Sequence, residues 1–266
     1  RMDHTATLLA DGRVLVAGGY GGSSSGYLAS AELYDPATNT WSAAGTLAAA
    51  RVSHTAALLL DGRVLVAGGS NSSEGYLNSA ELYDPATNTW SAASPLAAAR
   101  MDHTATLLAD GRVLVAGGYG YSSNDVLNSA ELYDPASDSW SLAGNFAAAR
   151  TFHTATLLTD GRVLVAGGQG DTTVFSSAEL YDPSTNCWSA GGSLTVGRFD
   201  HTATMLQDGQ VLVTGGQGWM AVLALTELYD PASDSWFLAG NLTAAGNAYT
   251  APLLSGGGSR SRSGMQ

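Results

Sequence analysis

The nine-residue phrase DGRVLVAGG occupies residues 11–19 and returns at 61–69, 110–118 and 160–168, with a looser copy, DGQVLVTGG, at 208–216. Around it recurs a longer unit: an Arg, the stretch HTATLL, the phrase itself, a variable loop, SAELYDP and a Trp. The histidines of this unit, His4, His54, His103, His153 and His201, are spaced by 50, 49, 50 and 48 residues. Self-similarity at a fixed period near fifty restricts the chain to an array of stacked units, each burying its apolar face against the next. Repeated positions therefore build architecture, and whatever is particular to function lies where the copies differ.

Within one unit every signal is a strand or turn signal. His4 to Leu9 alternates and ends apolar, as a short strand does. Asp11-Gly12 between two apolar runs predicts a tight hairpin with a type I′ turn. Val14 to Ala17 is a continuous aliphatic run, the pattern of a strand covered on both faces. Gly18-Gly19 then calls for positive backbone angles or for a chain packed too close for a side chain. Ala31 to Tyr34 is the third strand, Asp35-Pro36 opens a turn, and Trp41 begins the fourth strand. Four short antiparallel strands per unit make one blade of a β-propeller, so the fold class is all-β.

The Gly-Gly doublet, the Tyr-Asp-Pro turn and the Trp a few residues later resemble the kelch repeat. All five copies carry these marks, from Gly18-Gly19, Tyr34, Asp35, Pro36 and Trp41 to Gly215-Gly216, Tyr229, Asp230, Pro231 and Trp236. The resemblance implies a propeller whose first strands line a central channel, and a partner bound by the loops around the channel mouth. It gives one domain over residues 1–254, with repeats starting at 1, 51, 100, 150 and 198 and a partial sixth from 246. Five blades are expected, with 247–254 as an extra edge segment; the alternative is an excerpt of a six- or seven-bladed propeller. Residues 255–266 are low in complexity and read as a flexible tail. Trp41, Trp90, Trp140, Trp188 and Trp236 are expected in equivalent, largely buried places.

The net charge of −12 comes with eleven Arg and no Lys. An acidic surface without a basic run argues against nucleic acid and anionic membranes, and no apolar run is long enough for a membrane helix. A start at Arg1 is what a processed or excerpted chain would show. The single cysteine, Cys187, cannot form an internal disulfide.

The repeated histidines invite a metal hypothesis, but each belongs to the common frame and reads as a hydrogen-bonded structural group. Glu32, Glu81, Glu131, Glu179 and Glu227 alternate with apolar neighbours and are expected to be semi-buried and paired with a repeated Arg. Galactose oxidase, a copper enzyme, also carries kelch repeats. Its site needs a Cys-linked Tyr, a second Tyr and two His, whereas the one thiol here sits in a turn slot. No catalytic residue and no cofactor is assigned. Arg51, Arg100, Arg150 and Arg198 stand on the face of the variable loops. They read either as structural ion-pair members or as a basic ring accepting an acidic group.

The variable loops hold Tyr20, Tyr27, Tyr76, Tyr119, Tyr121, Phe175, Trp219 and Met220 among Ser, Asn and Gly, the composition of a recognition surface. Asn71 and Asn241 are the Asn-x-Ser/Thr sites and candidate glycan acceptors. The expected function is a non-catalytic binding or scaffold module for a protein or glycan partner, alone or as part of a larger assembly. A lectin or a secreted carbohydrate-oxidase relative is the alternative. The expected location is extracellular or on the cell surface, with the cytoplasm as the alternative.

Overall fold

A computed structural model of the protein describes residues 1–24, 26–121, 125–247 and 259–260. Five antiparallel four-stranded sheets follow one another along the chain. The first consists of Thr5–Leu8, Val14–Ala17, Ser30–Asp35 and Thr40–Thr46. The same four strands recur to the fifth sheet, Thr202–Met205, Val211–Thr214, Leu225–Asp230 and Ser235–Asn241. Register is kept: Tyr34, Tyr83, Tyr133, Tyr181 and Tyr229 each stand opposite the Trp of their own blade. This is a kelch-type propeller with its short first strands innermost, each facing the first strand of the next blade. The short strand Ser259–Arg260 adds to the inner edge of blade 1, opposite Thr5 and Ala6. Residues 248–254 of the partial sixth repeat, and the rest of the tail, lie outside the described residues.

The turns are built by the residues that mark them. The Asp-Gly hairpins are not two-residue type I′ turns as the dipeptide suggests. Leu9 N–H donates to Arg13 O at 2.8 Å and Gly12 N–H to Leu9 O at 3.0 Å, which leaves a three-residue loop. Only Gly12, at φ +88°, takes the left-handed conformation there. The reason is local: the Asp11 carboxylate accepts from both the backbone and the guanidinium of Arg13, which holds Asp11 in an ordinary conformation. The Gly-Gly doublet meets both conditions read from the sequence. Gly18 and Gly19 have φ of +62° and +96°, and a Cβ on Gly18 would lie 2.6 Å from Arg51 O. At the opposite end Asp35 Oδ1 accepts from Ala37 N–H, and the Tyr34 hydroxyl donates to Asn39 Oδ1.

The core lies between blades. Four buried clusters join blade 1 to 2, 2 to 3, 3 to 4 and 4 to 5. In each, Leu and Ala side chains of one blade, joined by Phe146 in the third, meet Val, Tyr and Trp of the next. Among the described residues no fifth cluster joins blade 5 to blade 1, so the blades enclose a seam. The seam explains the one departure from the expected burial of the tryptophans. Trp90, Trp140, Trp188 and Trp236 are half-buried, and each indole N–H donates to a main-chain carbonyl of the preceding blade. Among the described residues no other blade covers Trp41, which is 58% exposed.

Candidate partner-binding face

Strand order fixes two faces. The Asp-Gly and Asp-Pro turns emerge on one, and the variable loops and the links between blades on the other. The arginines that open each blade do lie on the loop face, but they point inward. Arg51, Arg100, Arg150 and Arg198 are fully buried. Arg51 donates to Gly68 O, Ser79 O and the Glu81 carboxylate, and the same three bonds recur at Arg100, Arg150 and Arg198 with Glu131, Glu179 and Glu227. Each glutamate also accepts from link amides of the preceding blade, as Glu131 does from Ala97 and Ala98 at 2.7 and 3.2 Å. Burial pulls these guanidiniums below their usual range, and the glutamate opposes it. The pairing of repeated Arg with repeated Glu is as the sequence suggests, whereas the basic ring open to a ligand is corrected. A fully buried guanidinium already paired with a carboxylate is out of reach of an incoming acid.

The histidines join neighbouring blades. The Nε2 atoms of His54, His103, His153 and His201 lie 2.8–3.0 Å from Thr5, Thr55, Thr104 and Thr154 Oγ1 of the blade before. Burial and the nearby Arg198 push the His201 imidazole down to about 3, so it is neutral. Among the described residues no three His, Cys, Asp or Glu side chains are grouped to hold a metal ion. Cys187 is exposed in its turn, with Sγ against Thr185 O.

The loop aromatics divide in two. Tyr20 and Tyr27 pack edge to face, with ring centres 5.6 Å apart. Tyr119 packs edge to face on Phe152 at 5.8 Å, and Phe175 lies over the buried Arg150 guanidinium at 4.9 Å. These rings meet other side chains of the loop layer, and Tyr76 is half-buried. Tyr121, Trp219 and Met220 are different: they are 84%, 67% and 91% exposed. A large apolar side chain so exposed gains nothing from the fold, and several on one face mark an interaction surface.

Asn71 does not suit a glycan. It is 7% exposed, its Nδ2 donates to Ala50 O and to Glu74, and its Oδ1 accepts from Ser73 and Glu74 amides. The nitrogen a sugar would take is spent holding the loop, which corrects the expectation for this residue. Asn241 ends an outer strand and is exposed.

Sequence reasoning missed the mouth of the channel. Asp3, Ser53, Asp102, Phe152 and Asp200 precede the motif histidines and all have φ of 51–53°. Ser53 N–H donates to Asp3 O, Asp102 N–H to Ser53 O and Asp200 N–H to Phe152 O, a relay that passes from blade to blade. The signal was there: this slot reads Asp, Ser, Asp, Phe, Asp inside an otherwise constant frame.

Residues 3–216 match the KLHDC2/KLHL20/DRC7 Kelch-repeats domain. The chain belongs to this kelch-repeat family. No curated protein matches it closely enough to be compared. Kelch-repeat domains are in general non-catalytic scaffolds that bind protein partners. Among the described residues of this kelch chain, no helix is long and apolar enough to cross a membrane.

Proposed function

We propose that this kelch domain is a binding module whose partner docks on the face of the variable loops, with Tyr121, Trp219 and Met220 as its anchors. The observation that carries the reading is the exposure of these three side chains on the one face whose sequence changes from blade to blade. A surface that differs in each blade suits an asymmetric partner, and large exposed side chains carry most binding energy. The partner is a protein; a glycan is the alternative a glycan array would detect. The test places a photo-crosslinking residue at position 220 or, on the opposite face, at position 60, where Leu60 is also exposed. Adducts are expected from position 220 alone. Trp219→Ala with Tyr121→Ala should weaken capture by about 2 kcal/mol while leaving Tm unchanged. Equal adducts from both faces, or a large fall in Tm, overturns the reading.

We also propose an extracellular or cell-surface location. The acidic, lysine-free surface and the exposed Asn241 within Asn-Leu-Thr support it. Fractionation of source cells with a deglycosylation shift at Asn241 tests it; a cytosolic, sugar-free chain overturns it.

A further inference from the structure

A groove of about 440 Å³ runs between the loops of blades 2 and 3. Its floor is the link Ala97–Ala99 with Leu127, and Tyr76, Tyr121 and Asp125 form its rim. Four backbone donors around it are already used. Ala97 and Ala98 N–H point down to the Glu131 carboxylate, Gly120 N–H donates to Asp125 O and Leu127 N–H to Gly118 O. The groove offers an apolar floor, two phenol rings, an exposed carboxylate and the Asn78 amide, whose Nδ2 donates to Leu96 O. The Asp125 side chain lies over Gly120, where a Cβ would stand 2.7 Å from its Oδ2. Burial, and then the charge of Asp102, hold the Tyr76 phenol above its usual range, so it stays neutral with an oxygen able to accept.

The charge of the whole face points the same way. Nine arginines have described side chains, and every one is in an ion pair. The partly exposed Arg13, Arg63, Arg112 and Arg162 belong to the Asp-Gly turns of the opposite face, while Arg1, on the loop face, is paired with Glu32. The loop face carries Glu74, Asp125 and Asp171 in its loops and Asp3, Asp102 and Asp200 around the mouth. Residues 20–29, 70–79, 119–128, 169–176 and 217–224, the variable loops, contain no Lys or Arg. A face whose loops carry carboxylates and no Lys or Arg attracts and orients a basic partner.

We infer that the groove between blades 2 and 3 receives an Arg or Lys side chain from a basic segment of the partner protein. The aliphatic stem lies on the Ala97–Ala99 floor and Leu127, and the cationic head reaches Asp125 between the rings of Tyr76 and Tyr121. This inference rests on the loop-face reading above and adds the chemistry of the partner to it.

The test is amide NMR of the full chain titrated with acetyl-Arg-Arg-Arg-amide, acetyl-Glu-Glu-Glu-amide and acetyl-Gly-Leu-Gly-amide. The arginine peptide is expected to shift Ala98, Gly120 and Leu127. Asp125→Asn should weaken it at least about fivefold, and so should raising salt from about 0.05 to about 0.3 M. Tyr121→Ala, with Tm recorded, gives a second variant that leaves the Asp125 backbone bond intact. Equal binding to Asp125→Asn and wild type, or groove shifts with the glutamate or leucine peptide, overturns the inference. If that happens while crosslinking still comes from position 220 alone, the loop-face reading stands and only the basic partner is lost. If position 60 crosslinks as well as position 220, the loop-face reading itself falls.

Discussion

The indole N–H of Trp90 donates to the main-chain carbonyl of Ala44 in the preceding blade at 2.7 Å. Trp41, in the same local sequence, makes no such bond and stands in solvent. The two residues measure what a neighbouring blade contributes. Trp90→Ala removes a half-buried ring and orphans a carbonyl, and is expected to cost about 2–3 kcal/mol. Trp41→Ala should cost under about 1 kcal/mol. Urea unfolding of both variants checks the difference; equal losses would mean that blade 1 is covered in solution.

The glutamates allow a second comparison of the same kind. Glu131→Ala leaves the buried Arg100 without its counter-charge and two link amides without an acceptor, an expected loss of about 3–5 kcal/mol. Glu32, half exposed in its pair with Arg1, should cost under about 1 kcal/mol on the same change. Thermal unfolding decides it.

Acid should destabilise the fold through His201. Its folded value, about 3, lies below the ordinary 6.5, so the unfolded chain binds a proton that the folded chain does not. Stability is therefore complete above pH 6.5 and falls as pH drops towards 3, by up to about 1.4 kcal/mol per unit. His201→Gln should flatten Tm against pH between 6.5 and 4.5. An unchanged slope there would show that His201 is not the group responsible.

Gly117 separates conformational strain from crowding. Gly12 and Gly117 both have positive φ, but a Cβ on Gly12 meets open space, whereas one on Gly117 meets Arg150 O at 2.5 Å. Gly12→Ala should cost about 1 kcal/mol, and Gly117→Ala clearly more. Chemical denaturation of the pair tests this, and a reversed order would refute the close approach.

How much was legible follows from the range of each interaction. The repeat specified strands, turns, register and the partnership of Arg with Glu, because strand pairing and turn formation act within one unit of about fifty residues. It did not tell Arg100 as a ligand acceptor from Arg100 as a sealed ion pair. Burial there depends on the link of one blade and the third strand of the next. Nor did it tell Tyr119, which packs on Phe152 of the following blade, from Tyr121, which is 84% exposed. Trp41 and Trp90 make the limit plain, since both stand in the segment Asn-Thr-Trp-Ser-Ala-Ala. The sequence by itself determined that each would face a neighbouring blade. Only the tertiary structure decided that, among the described residues, Trp90 is covered by a neighbouring blade and Trp41 is not, because burial is conferred by residues about fifty positions away, and those lie beyond anything a local pattern encodes.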